Sequence, residues 1–184
     1  MSTPVLALHA STHAQSTHSS PSSAERLGKV FYPVKADIEG NIKKLQAIAK
    51  KKHRGITLHQ LLREEQAAGG PMPAAGDALL WLKRALQFMN TFLGAVASGG
   101  DAGVAARAAY SSTLEKHHGF VVRRTFSVGL SAAPSTDSIL ERLGGTGANK
   151  AEVRADLAEW VAAAAPLIVA IDSLLIKQGL DPGA

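Results

Sequence analysis

The 184-residue sequence contains no cysteine. This excludes a disulfide framework and a cysteine-ligated zinc or iron–sulfur centre, and it is compatible with a reducing compartment. Runs of β-branched residues with period-2 alternation are also absent, whereas Ala, Leu, Lys, Arg and Glu dominate. The chain is therefore predicted to be all-α, and its length suits one domain with a substantial core.

Long apolar runs are missing as well. The longest extends from Trp160 to Ile171, between Glu159 and Asp172, whereas a membrane span requires about 20 apolar residues. We expect this run to be a buried core helix. The N-terminus lacks the basic and apolar regions of a secretory signal. The first arginine is Arg26, although organellar transit peptides usually carry arginine, so the cytosol is the expected compartment.

The first 24 residues contain no Lys, Arg, Asp or Glu and are rich in Ser and Thr. Such a segment cannot bury enough apolar surface to offset its ordering entropy. We therefore predict a disordered tail over residues 1–24, with at most a short packed piece around Val5–Leu8, followed by a domain over residues 25–184. The histidines of this tail have no preset geometry for a metal ion.

The balance of charge is mildly basic, with a formal net charge of +5 and a pI near 9.6. This suits an anionic membrane surface or a nucleic acid, and a solvated basic surface is an equally good interpretation. No nucleic-acid recognition motif is visible, so we expect no nucleic-acid partner.

Helix start and stop signals divide the rest of the chain. The predicted helices run from Pro33 to about His53, from Thr57 to about Ala67, from Ala74 to Ala97, from Asp101 to about Ala132 with a bend near Gly119, over residues 136–143, and from Asn149 to about Gly179.

Three polar side chains share one face of the first of these helices. Asp37, Asn41 and Lys44 are spaced i, i+4 and i+7, so they lie on one helix face. They offer an acceptor, an amide and a cation, which is the mixture that sugar hydroxyls need. The spacing alone is more typical of a solvated polar face.

Two ring-bearing residues add further binding chemistry. The indole of Trp81 suits stacking on the C–H face of a sugar, although a core or rim tryptophan is commoner. A neutral imidazole at His118 can donate to a carbonyl, although a hydrogen-bonded structural histidine explains it too. The neighbouring His117 gives no metal-binding spacing, and we expect no metal site.

Signatures of catalysis and of cofactor binding are not visible, whether a nucleophile elbow, a P-loop or a dinucleotide fingerprint. An acid–base pair of Asp37 and His118 is conceivable, but no activated nucleophile accompanies it. We therefore expect neither enzymatic activity nor a cofactor.

Three segments, in order and with matching gaps, resemble the glycolipid transfer protein family. They are Pro33–Asn41, Leu80–Arg84, and His118-Gly119 with a following aromatic and then Ala132–Pro134. The resemblance covers roughly residues 26–178. It implies a two-layer helical sandwich that carries glycosphingolipids between membranes as a monomer with transient membrane contact. The ligand class would be galactosylceramide, glucosylceramide or lactosylceramide.

The resemblance also implies roles for individual residues. Asp37 would bind the ceramide amide and a sugar hydroxyl, Asn41 and Lys44 the first sugar, and Trp81 would stack beneath that sugar. His118 would donate to the acyl carbonyl. The apolar pocket would be lined by Phe31, Val34, Phe88, Phe92, Leu114 and Phe126.

The sequence departs from the family pattern at several places. The family's first helix is degenerate or absent ahead of Asp37. Phe120 replaces an interfacial tryptophan and is the expected membrane contact. Asp77 replaces a leucine and is a candidate for an additional headgroup contact. The chain ends at Asp181 to Ala184 without the family's aromatic tail. A lipid sensor or adaptor that binds without rapid transfer is the alternative function.

Overall fold

A computed structural model describes residues 29–53, 55–69 and 72–181. Within these ranges the backbone forms seven α-helices and no strand, which confirms the all-α prediction. The helices are α1 (Tyr32–Lys50), α2 (Leu58–Ala67), α3 (Ala74–Ala97), α4 (Ala102–Thr113), α5 (Phe120–Ser131), α6 (Thr136–Gly144) and α7 (Lys150–Lys177). The predicted tail, its piece at Val5–Leu8 and the degenerate first helix lie outside the described residues.

Local capping sets most of the helix ends. The Thr57 side chain accepts from the Gln60 backbone N–H, and the Gln60 side chain accepts from the Thr57 backbone, so the predicted capping box is confirmed. Asn149 caps α7 by accepting from the Ala151 N–H at 3.0 Å. At the end of α1, the prediction extended a few residues beyond the observed end at Lys50.

The single helix predicted from Asp101 to about Ala132 is wrong, because the chain forms α4 and α5 with a break between them. The hydroxyls of Ser112 and Thr113 bond back to the Ala109 carbonyl at the end of α4. Such side chains compete with the helical ladder. His118 and Gly119 then adopt extended conformations before α5 begins. The break turns His118 inward, towards α1 and α3.

The core is organised around α3, which packs against α1, α4 and α7. The C-terminal half of α3 joins an apolar cluster with Phe31 and α4, and the N-terminal half joins a second cluster with α2 and Leu175. Trp81 faces the side of α3 on which α1 lies, whereas Lys83 and Asn90 face the side on which α7 lies. The polar side chains of α3 thus divide between two faces.

The expectation that the run from Trp160 to Ile171 is buried is wrong. Trp160 is 44% exposed and Val169 is 63% exposed, while Ile168 is buried. Only one side of α7 packs on α3 and α6, so the apolar residues elsewhere on the helix remain at the surface. In the described part of the chain, α7 is the one helix whose length and composition would allow it to cross a membrane.

Candidate functional site

A pocket of about 360 Å³ lies between α1, α3 and the segment that joins α4 to α5. All the residues predicted to contact a headgroup line it, together with part of the predicted apolar set. The lining residues are Pro33, Val34, Asp37, Asn41, Lys44, Asp77, Trp81, Ala85, Leu114, His118, Val122 and Phe126. The helical break at His118 and the packing of α1 on α3 therefore bring together residues that are up to 93 positions apart, from Pro33 to Phe126.

The polar wall of this pocket comes from α1. Asn41 is buried, with 3% exposure, and its side chain hydrogen-bonds to Asp37. Partial burial raises the pKa of Asp37 above its ordinary value of 3.8, against the opposing effects of that hydrogen bond, of the Lys44 charge and of the charge that His118 carries when it is protonated. Asp77 adds a further negative charge nearby, which also raises the Asp37 pKa. The wall therefore presents a partly desolvated carboxylate acceptor beside a single lysine.

The opposite wall is built from rings. Trp81 and His118 stack with their centroids 5.8 Å apart and their planes within 18°. The Tyr110 hydroxyl lies 3.0 Å from Nδ1 of His118. Burial lowers the pKa of His118 below 6.5, which keeps the imidazole neutral near pH 7. When Nδ1 accepts from Tyr110, the proton is on Nε2, and that atom is free to donate to a ligand.

Tyr110 is a site residue that the sequence did not reveal. It lies on α4, and it reaches His118 only because the chain breaks and turns back after Thr113. Its ring also stacks on Phe126 of α5 at 4.9 Å. No spacing rule for one continuous helix would have placed these three rings together.

Behind Trp81 lies a second feature that the sequence did not reveal. The Arg84 guanidinium carbon is 5.1 Å from the centre of the Trp81 ring, in a cation–π arrangement. Arg84 pairs with Asp181 at 3.2 Å. Lys83 pairs with Asp172 and with Asp181, both at 2.7 Å. Lys83 and Arg84 are adjacent in the sequence, but their acidic partners come from α7 and the segment after it.

The predicted apolar residues form one cluster, part of which lines the pocket. Phe31 stacks on Phe92 at 4.7 Å, and Phe92 stacks on Phe88 at 6.3 Å. These rings are fully or almost fully buried. They join Val34, Leu114 and the partly buried Phe126 in one continuous cluster. The polar rim of the pocket thus leads directly into the main apolar core.

Phe120 lies at the start of α5 and is 72% exposed. Val121, Val122 and Val128 of the same helix are exposed too. An exposed apolar group of this kind is unusual for a helix that faces only water. We call these four residues the α5 apolar patch.

A somewhat larger cavity, of about 400 Å³, lies on the other side of α3, against α7. It is bordered by the Lys83 ion pairs and by His117, and so it contains polar groups of both signs. We place the candidate headgroup site in the smaller pocket, because the flat indole, the partly desolvated carboxylate of Asp37 and the neutral histidine converge there.

Sequence comparison identifies relatives of this chain. The model of the glycolipid transfer protein family matches residues 10–145, a range that begins inside the predicted tail. The glycolipid transfer protein of Aureobasidium melanogenum is 34% identical over 153 residues, which are 80% of this chain and 73% of that protein. The human pleckstrin homology domain-containing family A member 8 is 42% identical over 124 residues, which are 65% of this chain. The match spans only 24% of that longer protein.

Structural comparison confirms the predicted two-layer helical sandwich. The fungal glycolipid transfer protein HET-C2 superposes with a TM-score of 0.74 at 28% identity, covering 83% of this chain and 77% of that one. FAPP2, described as selecting simple glycosphingolipids with this fold, superposes with a TM-score of 0.74 at 35% identity and covers 86% of this chain and 81% of that one. Human ceramide-1-phosphate transfer protein superposes with a TM-score of 0.75 at 17% identity, covering 86% of this chain and 81% of that one. At this identity the likeness shows the fold alone.

Proposed function

Because the family model matches more than half of its length, this chain belongs to the glycolipid transfer protein family, and we propose that it transfers glycosphingolipids between membranes. The observation that carries the proposal is the convergence of Asp37, Asn41, Lys44, Trp81 and His118 on one pocket. We further propose that the protein acts in the cytosol as a monomer with transient membrane contact.

The headgroup chemistry matches a sugar joined to ceramide. The Asp37 carboxylate can accept from both the ceramide amide N–H and a sugar hydroxyl, since a carboxylate has several acceptor positions. Nε2 of His118 can donate to the acyl carbonyl. The buried amide of Asn41 and the Lys44 ammonium supply donors to the first sugar, whose C–H face rests on Trp81. Asp77 supplies a further acceptor at the rim of the pocket.

The physical need for such a protein comes from the lipid chains. A two-chain lipid exposes about 30 methylenes at roughly 0.8 kcal/mol each, so crossing water unaided costs about 20 kcal/mol or more. The cluster of Phe31, Phe88 and Phe92 is continuous with Val34 and Leu114 of the pocket lining. We propose that the chains enter between the helical layers by separating these rings. No covalent step is required.

A vesicle-to-vesicle transfer assay tests the proposal directly. We expect rapid transfer of galactosylceramide and lactosylceramide. Failure to move either lipid, with a protein that remains helical, would overturn it. Binding without rapid transfer would instead identify a lipid sensor or adaptor.

Membrane docking through the α5 apolar patch is a further expected outcome. Phe120→Ala should lower partitioning to anionic vesicles about tenfold, because burying a phenylalanine contributes roughly 1.5–3 kcal/mol. The exposed Arg123 and Arg124 of the same helix should make docking weaken with added salt. Vesicle sedimentation at two salt concentrations measures both effects.

The matched control for docking is Trp160→Ala, which removes another exposed aromatic residue from α7. It should leave partitioning unchanged. An equal loss for both variants would show that docking does not depend specifically on α5.

The partly desolvated carboxylate of Asp37 should make the folded state less stable than it would be with a neutral side chain at this position. Its folded pKa lies above 3.8, so the folded protein binds more protons than the unfolded chain just above that pH. The free energy of unfolding therefore falls as pH rises from the unfolded-state pKa of Asp37 through its folded-state pKa. Asp37→Asn should consequently raise the melting temperature at pH 7 while weakening lipid binding, and the stability gain should vanish below pH 3.8.

Glu39→Gln provides the control for this effect, because Glu39 is an acid of the same helix that pairs with Lys35 at the surface and does not line the pocket. Removing the Glu39 charge should give no comparable gain in stability, because surface ion pairs contribute little. Melting temperatures of both variants are measured from pH 3 to pH 8. The same pH dependence for Asp37→Asn and Glu39→Gln would contradict the assignment of a desolvated carboxylate at Asp37.

A further inference from the structure

The chain reverses its direction immediately after α7. Gly179 has a φ of +66°, a left-handed conformation that glycine adopts without a steric penalty. Its N–H bonds to the Ile176 carbonyl, and the Leu180 N–H bonds to the Leu175 carbonyl, both at 2.9 Å. This pair of bonds is the Schellman arrangement of helix ends. Leu180 then packs over Gly76 of α3, where an added Cβ would lie 3.1 Å from Leu180 Cδ1.

This reversal carries the next residue, Asp181, back to Lys83 and Arg84 of α3, at the cavity that lies between α3 and α7. The Asp181 side chain is only 3% exposed, and its two oxygens bond separately to Lys83 Nζ at 2.7 Å and to Arg84 Nη2 at 3.2 Å. The same Arg84 guanidinium lies against the Trp81 ring. A continuous chain of contacts therefore links the segment after α7 to the indole.

We propose that Asp181 is a positioning residue for the headgroup site and that it acts through Arg84 on Trp81. A long arginine side chain has many rotamers, and a buried charged partner selects one of them. Held by Asp181, Arg84 supports one face of the indole from within the protein. The function of that indole as a sugar platform rests on the proposed lipid transfer, whereas the positioning itself does not.

The chain offers a closely matched control in Asp172. This residue bonds to Lys83 at the same 2.7 Å distance as Asp181 does. In the described part of the chain, however, Asp172 makes no ion pair with Arg84. Asp172→Asn and Asp181→Asn therefore each leave Lys83 with one carboxylate, and they differ in whether Arg84 loses its partner.

Fluorescence of the lipid-free protein tests the positioning role. The sequence contains two tryptophans, so Trp160→Phe leaves Trp81 as the sole emitter. In that background, Asp181→Asn should lower the residual anisotropy of Trp81 and steepen its quenching by acrylamide. Asp172→Asn should change neither quantity. Equal effects of the two substitutions, or none, would overturn the proposal.

A double-substitution cycle keeps the test decisive if Asp181→Asn also lowers stability. Arg84→Met retains much of the side-chain volume and removes the guanidinium that joins Asp181 to the indole. It should reproduce the loss of Trp81 anisotropy, and adding Asp181→Asn to it should cause no further change in anisotropy. Additive losses would mean that Asp181 acts on Trp81 by another route.

Binding to vesicles containing galactosylceramide then distinguishes this inference from the proposed function. Asp181→Asn should raise the Kd of the lipid about fivefold, because losing the contact between Arg84 and the Trp81 ring at a partly desolvated site weakens binding by about that factor. If the parent protein does not bind the lipid but the anisotropy difference persists, the proposed function fails and the positioning role stands. If the parent binds and the anisotropy is unaffected, the positioning role fails alone.

Discussion

Trp81→Ala is expected to lower the rate of galactosylceramide transfer by about tenfold or more, since it removes both buried ring area and a stacking surface. The fold should survive, because Trp81 lies at the rim of the pocket and is only partly buried. The substitution also removes the ring that stacks on His118 and contacts Arg84. A fluorescence-based transfer assay, with circular dichroism to check helicity, measures the effect.

Trp160→Ala serves as the control variant, since it deletes the second tryptophan, which is not part of the pocket lining. Its transfer rate should match that of the parent protein. Unchanged transfer by a folded Trp81→Ala variant would exclude the indole as the sugar platform. A comparable loss in both variants would point to a general effect on membrane exchange.

The second large effect concerns selectivity between lipids. The parent protein should transfer galactosylceramide at least about tenfold faster than ceramide-1-phosphate, because juxtaposed like charges cost several kcal/mol. Asp37 and Asp77 both line the pocket and would face the phosphate, with Lys44 the one cation in the described lining. Asn41 and Trp81 offer an amide and a stacking face, which suit a neutral sugar and do not neutralise an anion. Parallel assays with the two lipids measure the ratio.

Two substitutions make this test sharper. Asn41→Lys should weaken galactosylceramide transfer without producing efficient ceramide-1-phosphate transfer, because Trp81 still occupies the platform. Asp77→Asn is nearly isosteric and removes one negative charge, so it should shift the ratio towards ceramide-1-phosphate. Equal transfer of both lipids by the parent protein would refute this account of the pocket.

Local sequence determined the helices and one wall of the site. Helical period and capping depend on residues only three or four positions apart, so the capping box at Thr57 and the shared face of Asp37, Asn41 and Lys44 could be predicted. The family resemblance predicted that Trp81 and His118 belong to the same site. It carried that information because the order and spacing of motifs reflect a common fold.

Tertiary structure decided what depends on distant or competing contacts. At the break between α4 and α5, the hydroxyls of Ser112 and Thr113 bond to a backbone carbonyl and compete with continuation of the helix. Because the chain turns there, Tyr110 contacts His118. The exposure of Trp160 follows from which side of α7 meets α3, which an apolar run does not specify. The contact of Asp181 with Arg84 joins residues 97 positions apart. No local pattern encodes it, because it forms only when α7 packs on α3 and the chain turns back at Gly179.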